Sequence, residues 1–298
     1  MRRQLQDFLS KRAQACVTYV RDSQTCDKMA KKKELLHNRK AEIMKVKARG
    51  IIDRVEKSGT DVEMVHYQAH IQYLIDQKGY IYLEEEVELR EAEFYKGVLI
   101  YDKEKSPNYI AASAKEFRDT GEFERQGKAG KGKWGFFRYN RLRAVQYAER
   151  WWNDYNPAYT KFDVDCTNFI SQCLHAGGAP MAGSPNRSSG WWMENNNWSY
   201  SWSVANALRW YLPGAKRGLR AVEVDSPEQL LLGDVICYDF EGDGRINHST
   251  MVTAKDANGM PLVNAHTSNS RMRYWDYEDS TAYTANIKYK FFTITDDE

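Results

Sequence analysis

The chain has 298 residues, and its 43 lysines and arginines against 41 aspartates and glutamates leave a net charge of +2. This length allows about two domains of ~150 residues, and the balanced charge argues against a dedicated nucleic-acid-binding protein. The 9 Trp, 19 Tyr and 11 Phe residues exclude an intrinsically disordered chain, because disordered chains contain few aromatic residues. We therefore expect a folded protein without a nucleic-acid partner.

No segment contains the ~18 consecutive apolar residues that a membrane-spanning helix needs. Charged residues occur at Asp7, Lys11 and Arg12, where a signal peptide would have its apolar core. The five cysteines form no Cys-x-x-Cys pair, which argues against a disulfide framework or a structural zinc site. These features predict a cytoplasmic protein with no cofactor, metal or membrane span. They leave association with a cell wall and the oligomeric state open.

Residues 1–120 are predicted to form an N-terminal domain in which helices precede strands. Apolar residues recur at helical spacings from Leu5 to Arg49, which predicts two amphipathic helices. The second helix is rich in lysine and arginine, so it has either a solvated face or a surface for an anionic partner. Apolar residues alternate between Val62 and Tyr101, which predicts strands. In the later strand, Ile81 and Leu89 fall on the predicted apolar face.

A charged, glycine-rich segment at 121–136 is predicted to be a linker, followed by a catalytic domain at 137–298. Apolar spacing predicts one helix that stops before Pro157 and another that begins near Cys166. Alternating segments then predict strands at 234–240, 246–254, 260–267 and 287–294. Helices followed by strands predict an α+β domain with a helix packed on an antiparallel sheet.

Cys166 is the candidate nucleophile. Two residues that can cap a helix, Asp163 and Asp165, precede it, which places the thiol in the first helical turn. There the helix dipole favours the thiolate, and unpaired backbone N–H groups could hold an oxyanion. The alternative is a buried packing residue, which is the interpretation given to the other four cysteines: Cys16, Cys26, Cys173 and Cys237.

His248 and His266 lie on two successive predicted strands. If residues 255–259 form the turn between these strands, His248 lies directly opposite His266 and Asn264 lies opposite Thr250. Opposite residues have Cβ atoms ~5 Å apart, so one imidazole could orient the other. A shift of one residue would remove this pairing, so Asn264 stays an alternative to His266.

Four segments together resemble the putative amidase domain found mostly in spore-forming bacteria. The resemblance covers roughly residues 139–294, and the segments in chain order are Asp165-Cys166-Thr167-Asn168-Phe169-Ile170-Ser171-Gln172, Gly190-Trp191-Trp192, Gly233-Asp234-Val235-Ile236 and Asp243-Gly244-Arg245-Ile246-Asn247-His248-Ser249. That domain is similar to the NlpC-type cell-wall peptidases, which are papain-like cysteine hydrolases. The chain departs from the peptidase pattern at Thr167-Asn168, where those enzymes have Ser-Gly, and in a tryptophan-rich insertion.

The resemblance implies a papain-like fold with Cys166 as nucleophile, His248 as general base and His266 as the residue that orients the base. The implied reaction is hydrolysis of an amide bond in a peptide or cell-wall fragment through a thioester. A non-catalytic peptide- or glycan-binding module of the same fold is an alternative. So is an acyltransferase that uses the same residues with an amine acceptor.

Three further residues are candidates to contact the substrate: Asp165, Asn168 and Trp192. Asp165 could instead cap the helix, and Asn168 could fix a loop or pack within the helix. Trp192 could stack on a sugar ring or a peptide side chain, with core packing as its alternative.

Overall fold

The computed structural model describes residues 1–17, 27–106 and 137–296. The predicted linker at 121–136 and Cys26 lie outside these ranges. The described chain is α+β, with antiparallel strands and a few helices, and it divides into two compact units. The first unit contains the N-terminal elements together with Asp256–Asn258 and Ser268–Tyr283, and the second contains the remaining elements. A segment from the C-terminal part of the chain therefore belongs to the first unit.

The first unit consists of long antiparallel strands and two helices. Its elements are α1 (Arg2–Val17), α2 (Asp27–Asn38), β1 (Ala41–Ser58), β2 (Val62–Gln77), β3 (Tyr80–Tyr95), β4 (Val98–Glu104) and β11 (Ser270–Tyr274). Strand β2 lies between β1 and β3, and both β4 and β11 pair with β3. Leu5 and Leu9 of α1 pack in one apolar cluster with Tyr67 and Phe94.

The second predicted helix is too long. Helix α2 ends at Asn38, Lys40 has a positive φ of 58°, and strand β1 begins at Ala41. Ile43 and Val46, whose spacing also fits a helix, belong to this strand. A left-handed residue cannot continue a right-handed helix, so the chain reverses at Lys40.

The predicted buried face of β3 is also wrong. On the predicted face, Ile81 is 54% exposed and Leu89 is 46% exposed. The opposite face of the strand contains four buried charged residues: Glu84, Glu86, Glu88 and Arg90. Lys28 of α2 lies 2.8 Å from Glu88 and 3.2 Å from Glu86. Because paired charges can be buried, α2 docks its lysines against this strand. Lys28 therefore belongs neither to a solvated face nor to a surface for an anionic partner.

The second unit packs helices on an antiparallel sheet. Its elements are α3 (Arg141–Trp151), α4 (Cys166–Ala176), β5 (Met193–Glu194), β6 (Asn197–Trp198), α5 (Tyr200–Ser203), α6 (Ala205–Gly214), β7 (Ala221–Val224), β8 (Val235–Asp239), β9 (His248–Lys255), β10 (Pro261–Ala265) and β12 (Lys288–Ile294). The sheet order is β10-β9-β8-β12-β7. Phe169 and Cys173 of α4 pack in the core with Cys237 of β8 and Met251 of β9, which confirms the packing interpretation of Cys173 and Cys237.

Candidate active site

Helix α4 begins at Cys166, and hydroxyl side chains from three parts of the second unit gather there. Cys166 is 2% exposed, and its Sγ lies 3.7 Å from Oγ1 of Thr167. Thr167 Oγ1 lies 3.1 Å from Oγ of Ser249 on β9. From beyond β10, Thr267 Oγ1 accepts a hydrogen bond of 3.1 Å from the backbone N–H of Cys166. The candidate nucleophile thus lies where α4 meets the β9–β10 side of the sheet.

Burial raises the pKa of the Cys166 thiol. Hydrogen bonds from the Thr167 hydroxyl, the Ser249 backbone and the Thr267 hydroxyl lower this pKa, and the charge of Asp165 raises it further. The prediction that the helix terminus favours a thiolate is therefore wrong for this structure, because desolvation outweighs the hydrogen bonds. At neutral pH the thiol is protonated, so nucleophilic attack by Cys166 would need a base.

Thr267 carries an unusual backbone conformation at this position. Its φ is 79°, a value that β-branched residues rarely adopt because the side chain crowds the backbone. Its hydroxyl oxygen accepts hydrogen bonds from the backbone N–H groups of Asp165, at 3.0 Å, and of Cys166. Nothing in the sequence pattern indicates this conformation, and sequence reasoning assigned no function to Thr267.

Asp165 organises the loop before α4. Its side chain makes no capping hydrogen bond to the helix, so the capping interpretation is wrong. Instead, Oδ1 accepts hydrogen bonds from the Phe162 N–H at 3.0 Å and from the Asn168 side-chain amide at 2.9 Å. Its other oxygen, Oδ2, lies 2.7 Å from Nδ1 of His266. Both oxygens of the Asp165 carboxylate therefore have protein partners.

Both ring nitrogens of His266 are engaged. Nδ1 bonds Asp165, and Nε2 lies 2.7 Å from the carbonyl oxygen of Trp151 at the end of α3. The ring also stacks on Phe169 of α4, with centroids 4.0 Å apart and an angle of 12° between the planes. Asp165 and Trp151 therefore fix the orientation of the His266 ring. Neither ring nitrogen is directed to His248.

The predicted register between the two histidine strands is wrong. Pro261 pairs with Lys255, so the turn contains residues 256–260, and the pairing then shifts between Leu262 and Val263. Asn264 consequently lies opposite Met251, and β10 ends at Ala265 before His266 is reached. The displaced turn and the shift beside Thr253 together remove the cross-strand pair of histidines.

His248 is the first residue of β9 and is fully buried. It lies opposite Tyr238 of β8, and its ring centroid lies 5.5 Å from that of Tyr238 and 6.0 Å from that of Phe240. The next residue, Ser249, contributes the backbone hydrogen bond to the Cys166 thiol. Each histidine thus directly precedes a residue that contacts Cys166, namely Ser249 after His248 and Thr267 after His266.

The other candidate substrate contacts are buried. Asn168 accepts a 2.8 Å hydrogen bond from the Trp202 indole N–H and donates to the carbonyl oxygen of Thr160, so it fixes a loop. Trp192 is 2% exposed and donates its indole N–H to the carbonyl oxygens of Asn186 and Ser189. The structure thus gives Asn168 and Trp192 packing contacts in place of an exposed binding surface.

Asn264, the alternative third residue, is also engaged. Its side-chain amide donates a 2.8 Å hydrogen bond to Glu149 of α3, and its oxygen accepts one of 2.9 Å from the Thr253 hydroxyl. Within the described ranges, no group of three or more His, Cys, Asp or Glu side chains could hold a metal ion. Among the helices of those same ranges, none is both long and apolar enough to cross a membrane.

The residues around Cys166 fall within a region that matches a known family model. The putative amidase domain model covers residues 138–292, which include Cys166, both histidines and Thr267. The chain belongs to the putative amidase domain family. The description of the family suggests amide hydrolysis.

Two proteins of Bacillus subtilis (strain 168) are similar to this chain. One, named Uncharacterized protein YhbB, is 52% identical over 273 residues, which cover 90% of this chain and 86% of that protein. The other, named Uncharacterized protein YjcM, is 32% identical over 140 residues, which cover 44% of this chain and 31% of that protein. No solved structure matches the chain at a significant level.

Proposed function

We propose that this protein is a cysteine-dependent amidase or peptidase in which Cys166 is the nucleophile. The observation that carries the proposal is the position of the thiol at the start of α4 inside the matched amidase domain. There it receives hydrogen bonds from Thr167, Ser249 and Thr267. An amide hydrolase needs a nucleophile beside backbone N–H groups that can hold an oxyanion, and the first turn of a helix supplies both.

His248 is the proposed general base. Because the Cys166 thiol is protonated at neutral pH, its proton must leave as sulfur attacks the amide carbonyl carbon. His248 is the first residue of β9, beside the residue whose backbone contacts the thiol. It would take the thiol proton and then return it to the leaving amine as the C–N bond breaks. Water would then cleave the thioester, releasing the acid and restoring the thiol.

His266 is the proposed third residue of the site, as a positioning residue. Through its bond to Asp165 it fixes the residue that directly precedes Cys166. Through Trp151 it ties the start of α4 to the end of α3. This proposal differs from a triad in which His266 holds the base, because here the histidine would act on the nucleophile's side of the site.

A peptide or cell-wall fragment is the proposed substrate, because of the sequence resemblance to NlpC-type peptidases. Hydrolysis of a muropeptide mixture by the full chain, followed by mass spectrometry, tests the proposal. Cys166→Ala should abolish hydrolysis. Cys173→Ala is the matched control, because Cys173 lies further along the same helix in the core, and this variant should hydrolyse the substrate as the wild type does. Unchanged hydrolysis by the Cys166→Ala protein would show that the cysteine mechanism is wrong.

The burial of Cys166 favours a second candidate, a peptide- or glycan-binding module without turnover, because a buried protonated thiol is unreactive. This candidate predicts muropeptide binding that is the same in wild-type protein and in the Cys166→Ala variant, with no product.

Addition of glycine amide separates hydrolysis from acyl transfer. A hydrolase releases only the free acid, whereas an acyltransferase forms the glycine amide conjugate.

A further inference from the structure

The Thr267 hydroxyl makes every hydrogen bond that a hydroxyl can make. A hydroxyl has two acceptor positions and one donor hydrogen. Both acceptor positions are taken by the backbone N–H groups of Asp165 and Cys166, at 3.0 and 3.1 Å. With both acceptor positions taken, one hydrogen is left for the Cys166 thiol, and this hydroxyl lowers the pKa of the thiol through a hydrogen bond. The Thr267 hydroxyl is therefore hydrogen-bonded both to the thiol of Cys166 and to the backbone N–H of the same residue.

The N–H of a nucleophilic residue at a helix start is a donor of the kind that binds the oxygen of a tetrahedral intermediate. Thr267 Oγ1 lies 3.1 Å from the backbone nitrogen of Cys166. This distance falls in the range of about 2.7 to 3.1 Å that separates such a donor from an oxyanion. We propose that Thr267 Oγ1 occupies the place of the substrate's carbonyl oxygen in the resting protein, so that the substrate must displace Thr267 to reach Cys166. This inference rests on the proposed function of the same site.

The backbone of Thr267 supports displacement of this residue by a ligand. Its φ of 79° is unfavourable for a β-branched side chain, and such conformations persist only where surrounding contacts enforce them. Those contacts are the two backbone hydrogen bonds of its own hydroxyl and the anchored ring of the preceding residue, His266. A carbonyl oxygen that took over the two N–H groups would replace the bonds that hold the strained conformation.

Alkylation of Cys166 by iodoacetamide, followed by peptide mass spectrometry between pH 6 and pH 9, tests the proposal. Thr267→Gly removes the hydroxyl and also suits a positive φ, so this variant should fold. Thr267→Ala removes the hydroxyl and the γ-methyl but keeps the Cβ atom. Both should alkylate Cys166 about fivefold faster than wild type at each pH, the equivalent of about one hydrogen bond. Thr267→Ser keeps the hydroxyl and should react at the wild-type rate.

A matched control distinguishes opening of this site from general loosening of the unit. Thr253→Ala removes a buried hydroxyl on β9 of the same unit, one that bonds Asn264 and not Cys166, so it should leave the alkylation rate unchanged. Equal or slower alkylation of the glycine and alanine variants would overturn the proposal. A slower rate with a higher thiol pKa would mean that the hydroxyl only activates the sulfur.

The alkylation result does not depend on hydrolysis. Faster alkylation of the Thr267 variants together with unchanged hydrolysis by Cys166→Ala would mean that Thr267 covers the thiol but that the protein is not a cysteine hydrolase. Loss of hydrolysis in Cys166→Ala with no effect of Thr267 on alkylation would mean the reverse. The two proposals can therefore fail separately.

Discussion

His266 and Asp165 form a buried pair in which Nδ1 of the ring lies 2.7 Å from Oδ2 of the carboxylate. Nε2 of His266 faces the carbonyl oxygen of Trp151 at 2.7 Å, and a carbonyl oxygen only accepts hydrogen bonds. Nδ1 faces the carboxylate of Asp165 at the same distance, and an ionised carboxylate also only accepts. The two contacts hold the ring in one orientation and tie it to the residue that directly precedes Cys166.

We expect Asp165→Asn to destabilise the protein by about 3 kcal/mol, because it leaves an uncompensated charge or an unmade hydrogen bond in the interior. Urea denaturation measures the change. The exposed Asp163, two residues earlier, supplies the control, and Asp163→Asn should leave the free energy of unfolding nearly unchanged. Equal free energies of unfolding for the two variants would contradict this role of Asp165.

The raised pKa of the Cys166 thiol predicts how its reactivity depends on pH. Burial is the main cause of the rise, so the thiolate fraction is small at neutral pH. It grows about tenfold for each pH unit up to the thiol pKa. Iodoacetamide alkylation of Cys166 in the wild type should follow this slope from pH 6 to pH 9.

Cys173 is the internal control for this measurement. It lies in the core on the same helix, and burial raises the pKa of its thiol well above the usual value. The same mass spectra should therefore show no labelling of Cys173 over this range. A rate for Cys166 that is already constant below pH 7 would indicate a preformed thiolate, as in a thiolate–imidazolium pair.

The second unit follows its sequence pattern closely, because its elements bury apolar side chains in a single core. Helix α4 begins at Cys166, where the sequence places its start, although Asp165 makes no capping hydrogen bond. Strands β8 and β12 lie where alternation places them. The details that fail are those that depend on a single residue. A turn displaced by one residue and a shift beside Thr253 together move the histidine register. One left-handed residue, Thr267, creates contacts that no periodicity encodes.

The first unit follows its pattern less well, because part of its interior is ionic. Alternation of apolar residues places Leu89 inside β3, but it is Glu88 that is buried there, by charges that arrive from α1 and α2. Pairing between residues about 60 to 76 positions apart cannot be inferred from a local window. The same holds for β11, whose Arg271 reaches Glu85 of β3 from the far end of the chain.

Lys28 is expected to be critical to this ionic interior. Its Nζ lies 2.8 Å from Glu88, 3.1 Å from Glu104 and 3.2 Å from Glu86. We expect Lys28→Met to lower the free energy of unfolding by about 3–5 kcal/mol, because two buried carboxylates and the partly buried Glu104 lose a shared cation. Lys31→Met is the control. Lys31 lies on the same helix and pairs with Glu34 and Glu278 at the surface, where ion pairs contribute little.

Glu86 and Glu88 predict loss of stability in acid, because the pKa of each carboxyl is lowered in the folded protein. Burial alone would raise the pKa of Glu88, but Lys28, Arg12 and Arg90 hold it well below its usual range. A depressed pKa in the folded state stabilises the protein above the unfolded value of ~4.3, and this contribution is lost as pH falls below it. Urea midpoints should therefore fall below about pH 4 in the wild type. They should fall less in Lys28→Met, and equal slopes would contradict this account.

Gly190 is required by the close approach of two chain segments. It has a φ of 71°, and a Cβ atom there would overlap the carbonyl oxygen of Ala182. The same carbonyl oxygen accepts a hydrogen bond from the backbone N–H of Trp191. We expect Gly190→Ala to destabilise the protein by more than about 4 kcal/mol or to prevent folding. Gly244→Ala is the matched control, because Gly244 also has a positive φ of 89° but has open space around it. That change should cost only about 1–2 kcal/mol. Similar melting temperatures for the two variants would show that the overlap is easily relieved.

Asp276 in the first unit should make stability fall as pH rises. Burial raises the pKa of its carboxyl to about 7, with further increases from Asp279 and Glu278. Because the folded pKa lies above the unfolded value of ~3.9, the stabilising contribution is complete below about pH 4 and is lost as pH rises to 7. Asp276→Asn removes this loss, so it should be about 1–2 kcal/mol more stable than wild type at pH 8 and nearly equal at pH 4. Urea denaturation at both pH values measures the difference.

The exposed Asp61 of the same unit gives the control, since Asp61→Asn should show no such dependence on pH. A variant at Asp276 that gains nothing between pH 4 and pH 8 would mean that the carboxyl stays ionised throughout this range.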